Sequence, residues 1–192
     1  VNAGSSSVKL SVLDGDTTAR TESVDPVDTR GALARLLDEA SPEAVGHRVV
    51  HGGRHFTGPA VVDDSVLERV ERLRALAPLH QGPALDALRQ SRAALPDVPH
   101  VACFDTAFHR TIPAAAHTYA VPEAWRTDLG VRRYGFHGLA HEWAARWAAD
   151  RLGRSDLRVV NAHLGSGASL CAMENGRSVD TTMGFTPVDG LV

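Results

Sequence analysis

Four stretches of this sequence carry residue types suited to chemistry on a charged, oxygen-rich group. The first is Val1-Asn2-Ala3-Gly4-Ser5-Ser6-Ser7-Val8-Lys9-Leu10. Gly4 lets backbone N–H groups approach an anion closely, the serine hydroxyls add donors, and Lys9 places a point charge one strand residue further on. The second is Arg48, in His47-Arg48-Val49-Val50-His51. An unpaired buried guanidinium is costly there, so it should meet an anion, whether a ligand or a structural carboxylate. The third is Asp105, delivered at the end of the apolar run from His100 to Phe104. It is placed to hold a metal or polarise a substrate group, or else to cap the turn that follows. The fourth is His137, between Phe136 and Gly138 and just ahead of a helical pattern. Such a histidine can donate a hydrogen bond to a moving phosphoryl group, or it can be a satisfied structural residue.

The elements that must hold these groups follow from periodicity. Val8, Leu10 and Val12 alternate with Lys9 and Ser11, the period of a half-buried strand, and Asp14-Gly15 reads as a hairpin turn into Thr17 to Val24. The same order recurs at Val160-Asn161-Ala162-His163-Leu164-Gly165-Ser166-Gly167-Ala168-Ser169. With a two-residue insertion at His163-Leu164, Gly4 to Gly15 lies against Gly165 to Gly176 without a further gap. That separation is about one domain length and too long for a solenoid repeat, so it predicts duplicated domains with two glycine loops around a phosphate chain. Between the copies, Asp28-Thr29 caps a helix bearing Leu33, Leu36 and Leu37, which Ser41-Pro42 ends. Val45 to Val50 is a strand, Asp63 caps a second helix, and Pro83 begins a third that stops at Pro96. Interleaved strands and helices predict an α/β fold, with a lobe boundary in the Pro- and Ala-containing stretch from Ile112 to Pro122. Trp143 and Trp147 share one face of the helix from about Ala140 to Arg151 and are expected in the core. The irregular segment from Asp180 to Pro187 reads as a functional or interface loop.

Composition narrows the partners. A net charge of −3 with no polybasic tract argues against nucleic acid and anionic membrane as general partners. No apolar run reaches membrane length, and Cys103 and Cys171 sit in apolar strands without C-x-x-C spacing, which predicts buried thiols and a cytoplasmic location. A zinc site is rejected. His47, His51 and His55 fall on a strand and a glycine turn, and His141-Glu142 lacks the second histidine of a zincin helix. No Gly-x-Ser-x-Gly elbow or Walker A pattern is present.

The chain resembles the acetate and propionate kinase family. The resemblance is carried by Asn2 to Lys9, His47 to Gly53, Leu76-Ala77-Pro78-Leu79-His80, Phe104 to His109, Tyr134 to Gly138, His163 to Gly167 and Asp180 to Pro187, in family order. It implies ribonuclease-H-like duplicated lobes of the sugar kinase, Hsp70 and actin superfamily, a first lobe over residues 1–110 with the acyl substrate and phosphate loop, and an incomplete second lobe over 111–192. It also implies a homodimer and reversible transfer of the ATP γ-phosphate to acetate. Propionate or another short-chain acid is an alternative substrate, and a nucleotide-gated binding module of the Hsp70 or actin type is an alternative function. By the same resemblance Asn2 is a Mg2+ ligand, Lys9 contacts ATP, Arg48 clamps the substrate carboxylate, Asp105 is the catalytic acid residue and His137 stabilises the transition state. His163, Leu164, Gly165, Ser166 and Gly167 form the second phosphate loop, and Val50, Leu79, Phe136 and Pro187 receive the acyl methyl group.

The sequence departs from the family pattern at Ser166, where Asn is usual, at Gln81-Gly82 for Asn-Pro, and at Leu139-Ala140 for Thr-Ser. Both ends look cut. A second transition-state arginine, the adenosine-binding segments and a Mg2+-binding glutamate are expected past Val192, so the chain alone is expected to be inactive or nearly so.

Overall fold

The computed structural model describes residues 1–4, 7–37 and 40–189, and of Val27 the backbone alone. The hydroxyl donors expected at Ser5 and Ser6 lie outside the described residues. The chain forms two compact units. One comprises Val1–Val50 and Pro59–Cys103, the other His51–Gly58 and the chain from Phe104 on. The division thus falls after Cys103, ahead of the 110/111 boundary expected above, and a short glycine-containing segment groups with the later unit. Phe56 in that segment stacks on Phe104, with ring centroids 4.3 Å apart.

In the first unit β1 (Asn2–Ala3), β2 (Val8–Asp14), β3 (Thr17–Val24), β4 (Val45–Val49), β5 (Ala60–Val61) and β6 (His100–Phe104) make a sheet in the order β3-β2-β1-β4-β6-β5. The meander β1-β2-β3 is antiparallel, whereas β4 runs parallel to β1. Alternation in β2 works as the pattern predicts: Val8 and Leu10 are buried and Lys9 and Ser11 are exposed. The turn at its end uses Gly15 at φ +55°, a left-handed conformation that costs a side chain energy.

Helices α1 (Thr29–Leu37) and α3 (Pro78–Ala94) cover the buried face, where Ala3, Val8 and Leu10 pack with Ala32, Leu33, Leu36, Ala84 and Ala87. Full burial of each large aliphatic stabilises by about 1.5–3 kcal/mol. Helix α2 (Asp64–Arg72) begins at the expected cap, with Asp63 accepting from the Val66 N–H at 2.7 Å. Helix α3 differs from expectation, for it starts at Pro78 and carries Pro83 inside. Pro78 supplies the preset φ of a first helical residue, and the carbonyl that Pro83 leaves without its helical donor belongs to Leu79, an exposed residue.

The second unit repeats the antiparallel meander as β7 (Arg158–Leu164), β8 (Ala168–Glu174) and β9 (Arg177–Thr181). Each meander has a glycine loop at its first bend, a tight glycine turn at its second, and a register shift in its second pair. The unit also contains α4 (Ala114–His117), α5 (Glu123–Thr127) and α6 (Gly138–Leu152). Trp143 and Trp147 are not in the core: they stack on each other on the outer side of α6, 66% and 55% exposed. The helix turns inward through Gly138, His141 and Ala145, so its closely packed side is the one with small residues and a histidine.

Candidate functional site

Within the first unit, strand register brings three predicted residues into one row. Asn2 lies opposite Lys9 on β2 and opposite Arg48 on β4. Residues paired across strands share a face, so the amide sits between an ammonium and a guanidinium. Arg48 Nη1 donates to Asn2 Oδ1 at 3.0 Å. The adjacent row, Ala3 and Val8, is buried, so the period of two separates core from chemistry. Val50 follows Arg48 and is buried, whereas Leu79 lies in the first turn of α3 at 72% exposure.

Behind Arg48, His47 and His100 form a chain of two hydrogen bonds that ends on the Leu95 carbonyl. His100 Nε2 donates to the Leu95 carbonyl at 3.0 Å, so its Nδ1 accepts, and His47 Nε2 donates to it at 2.9 Å. Burial, with the neighbouring amino terminus and His100 as lesser causes, lowers the pKa of His47 to about 3.

The second unit gathers most of its histidines around the start of α6. His137, 58° in φ and left-handed, forms the N-terminal boundary of that helix. A non-glycine residue held there stores about 1–3 kcal/mol and needs surroundings that dictate it. They do: the Gly138 N–H donates to the Asp105 carbonyl at 2.9 Å, and any Cβ at Gly138 would lie 2.0 Å from that oxygen. Asp105 is itself buried at 2% exposure, so the peptide after β6 clamps the histidine turn in place. The preceding turn is shaped by His109. Its Nε2 donates to the Phe136 carbonyl at 2.9 Å, its Nδ1 meets the Ser178 hydroxyl at 2.8 Å, and its ring occupies the space where a Gly135 side chain would go. Burial lowers the His109 pKa to about 4, against smaller opposing effects from the Phe136 carbonyl and Asp105.

Phe136 is buried at 1%, edge-on to His51, whose Nδ1 accepts from the Gly53 N–H at 2.9 Å. Burial lowers the His51 pKa to about 4 as well. The loop Gly165-Ser166-Gly167 joins β7 to β8, and Leu164 before it is exposed. The His163 ring lies against that of His137, centroids 4.1 Å apart and planes tilted by 32°, and Gly167 approaches the Cε1 and Nε2 edge of the His137 ring. His137 and the second glycine loop are therefore neighbours. Pro187 is half-buried at the start of a short 3-10 turn. The loop that leads to it is held by the Gly184 carbonyl, which accepts from the Tyr134 and Gly135 N–H groups at 3.0 and 3.2 Å.

Three residues absent from the sequence prediction join this site. His141 Nε2 and His137 Nδ1 lie 2.9 and 3.0 Å from the Ser169 hydroxyl, and Asn161 Nδ2 lies 2.8 Å from His141 Nδ1. Two signals for them existed. His137 and His141 have the four-residue spacing of one helix face, and Ser169 is a polar residue on the buried side of β8, where the first copy has Val8. A cavity of about 360 Å³ elsewhere in this unit is lined by Arg54, Arg110, Arg126, Arg132 and Tyr134 and contains none of the predicted residues. Two of these arginines serve the local backbone, Arg54 through the Thr127 and Arg126 carbonyls and Arg132 through that of Arg133.

Among the described residues no three or more His, Cys, Asp or Glu side chains gather where they could hold a metal ion, and no helix is long and apolar enough to cross a membrane. Asn2 nevertheless offers a hard oxygen donor on an exposed row beside two cations. That oxygen already accepts from Arg48, so a Mg2+ ion there would need phosphate oxygens and water both as its other ligands and to offset the two cations.

A model of the Acetokinase family matches residues 29–192. An acetate kinase of Coprothermobacter proteolyticus is 45% identical over 197 aligned residues, covering 95% of this chain and 49% of that protein. An acetate kinase of Deinococcus radiodurans is 54% identical over 162 residues, covering 83% of this chain and 41% of that protein. Among solved structures, a propionate kinase from Francisella tularensis superposes with a TM-score of 0.92 at 33% identity, covering 100% of this chain and 58% of that one. Porphyromonas gingivalis acetate kinase gives 0.87 at 31% identity, covering 97% and 57%. The chain spans about half the length of the curated relatives it matches.

Proposed function

The chain belongs to the acetokinase family, and from that premise we propose that the protein carrying it transfers the γ-phosphate of ATP to acetate, reversibly, giving acetyl phosphate and ADP. A carboxylate oxygen attacks the γ-phosphorus, the bond from that phosphorus to the bridging oxygen of ADP breaks, and no net proton is needed. Such a transfer needs positioning and charge neutralisation more than covalent help. The observation that carries the reading is the row Lys9, Asn2, Arg48. It sets a planar two-pronged cation, suited to a carboxylate, two strands away from a point cation suited to phosphate.

Arg48 is the proposed carboxylate clamp and Lys9 the proposed ATP contact. His137 donates to the transferring phosphoryl group and Asp105 is the acidic catalytic residue. His163 to Gly167 hold phosphate, with the Ser166 hydroxyl as a donor. Val50, Leu79, Phe136 and Pro187 contact the acyl methyl group. Mg2+, held in part by the Asn2 amide oxygen, supplies charge neutralisation to the phosphates when bound. A further methylene on the acid changes discrimination by only about 1–3 kcal/mol, so propionate belongs to the same substrate class. A cytoplasmic homodimer is part of the same proposal, and the thiol forms of Cys103, half-buried, and Cys171, buried, agree with a reducing compartment.

The test is ATP turnover by the protein at its full length, with and without acetate. Arg48→Ala should raise the acetate KM and depress kcat. Turnover indifferent to any short carboxylic acid, in the unaltered protein, would refute the kinase reading in favour of a nucleotide-gated binding module.

A further inference from the structure

Hydrogen-bond chemistry fixes the direction of every bond around Ser169. An amide NH2 can only donate, so Asn161 Nδ2 against His141 Nδ1 at 2.8 Å makes that ring nitrogen an acceptor. His141 is fully buried and neutral, its pKa lowered to about 3 by burial and then by His109, His137 and His163. Its proton must therefore sit on Nε2, which donates to Ser169 Oγ at 2.9 Å. The Ser169 side chain is buried at 0% exposure, and its hydroxyl proton also needs an acceptor. Of its two hydrogen-bond partners one already donates, which leaves His137 Nδ1, 3.0 Å away.

We propose that Asn161, His141 and Ser169 form a one-way hydrogen-bond relay that holds His137 as its Nε2–H tautomer and aims that N–H at the glycine loop beside Gly167. The three are positioning residues. They touch no reacting group, and they act through which nitrogen of His137 carries the proton. Gly167 lies by the Cε1–Nε2 edge, its Cβ position 3.6 Å from Nε2, and the tilted His163 ring packs against the imidazole, centroids 4.1 Å apart. A donor held ready toward a loop that cradles phosphate need not reorganise as negative charge moves. The relay also explains why a serine replaces the apolar residue that the first meander has on its buried face. The catalytic meaning rests on the kinase reading above, whereas the tautomer itself does not.

Long-range proton–nitrogen NMR correlation on protein labelled with 15N-histidine distinguishes protonated from bare ring nitrogens. At pH 7 His137 should show a protonated Nε2 and a bare Nδ1. Asn161→Asp keeps the shape but leaves only acceptors, so His141 must donate through Nδ1 and, as a neutral ring, accept from Ser169, and Ser169 must accept from His137. His137 should then carry its proton on Nδ1, and kcat should fall on the order of a hundredfold with little change in the acetate KM. Ser169→Ala should leave His137 a mixture of tautomers. A His137 that is Nδ1–H in the unaltered protein, or unmoved by Asn161→Asp at a pH where the same spectrum shows His141 neutral, overturns the relay. A switched tautomer with unchanged kcat overturns its positioning role. Absence of carboxylate-dependent turnover in the unaltered protein would remove the kinase reading alone, because the NMR result stands without it.

Discussion

Acidification from pH 7 to pH 5 should destabilise the second unit far more than the first. Four buried histidines have pKa values lowered chiefly by burial: His47 to about 3 in the first unit, and His51 to about 4, His109 to about 4 and His141 to about 3 in the second. In the unfolded chain each titrates near its ordinary value of about 6.5. Below that pH the unfolded state takes up a proton that the folded state refuses. The stability these groups lend is fully present above pH 6.5 and is lost as pH falls toward the folded values. At pH 5 each histidine has forfeited about 2 kcal/mol relative to pH 7. The loss is then about 6 kcal/mol for the three in the second unit and about 2 kcal/mol for the first unit. A domain has roughly 5–15 kcal/mol to lose, so the second unit approaches its unfolding point near pH 5. Carboxylates with lowered pKa, Asp63 and Asp156, act at lower pH and leave this window alone.

The assay follows from where the tryptophans lie. Trp125, Trp143 and Trp147 all belong to the second unit, so urea unfolding followed by tryptophan fluorescence reads that unit, while far-ultraviolet dichroism reads both. The fluorescence transition should move to lower urea by the larger amount as pH drops. His51→Asn, which keeps an acceptor for the Gly53 N–H, should reduce the pH dependence of that transition by about one proton. A fluorescence-detected stability that changes by less than about 2 kcal/mol between pH 7 and pH 5 would show that these histidines are not held neutral by burial.

Other outcomes are equally definite. Asp63→Ala removes the acceptor of the Val66 N–H and should cost about 1 kcal/mol in the first unit, read by denaturant unfolding. Phe56→Ala empties one side of the Phe104 stack and should cost about 3–5 kcal/mol in the second unit. Gly138→Ala drives a methyl group into the Asp105 carbonyl, so the left-handed His137 turn cannot persist. The variant should lose any binding or turnover that depends on His137, and an unchanged His137 NMR environment would contradict that clamp.

Much of the architecture was legible in the linear pattern because it is set by local rules. Alternation in Val8 to Val12, the Asp14-Gly15 turn, the Asp63 cap and the recurrence of the glycine meander need only neighbours within a few residues. Motif order was enough to indicate the family. The interior of α3 was not readable, because Pro83 is a breaker by propensity and only the helix's packing through Ala84, Leu85 and Leu88 retains it. Nor was the outward side of Trp143 and Trp147, since a helical period marks a face without saying what lies against it.

What tertiary structure alone decided is which distant polar groups meet. Register between β1, β2 and β4 puts Arg48 on Asn2 across 46 residues of chain. The packing of α6 on the second meander joins His141 and Asn161 to Ser169. A buried hydroxyl and a neutral imidazole gain chemical direction only from the partner at their other end, and that partner is supplied by the fold.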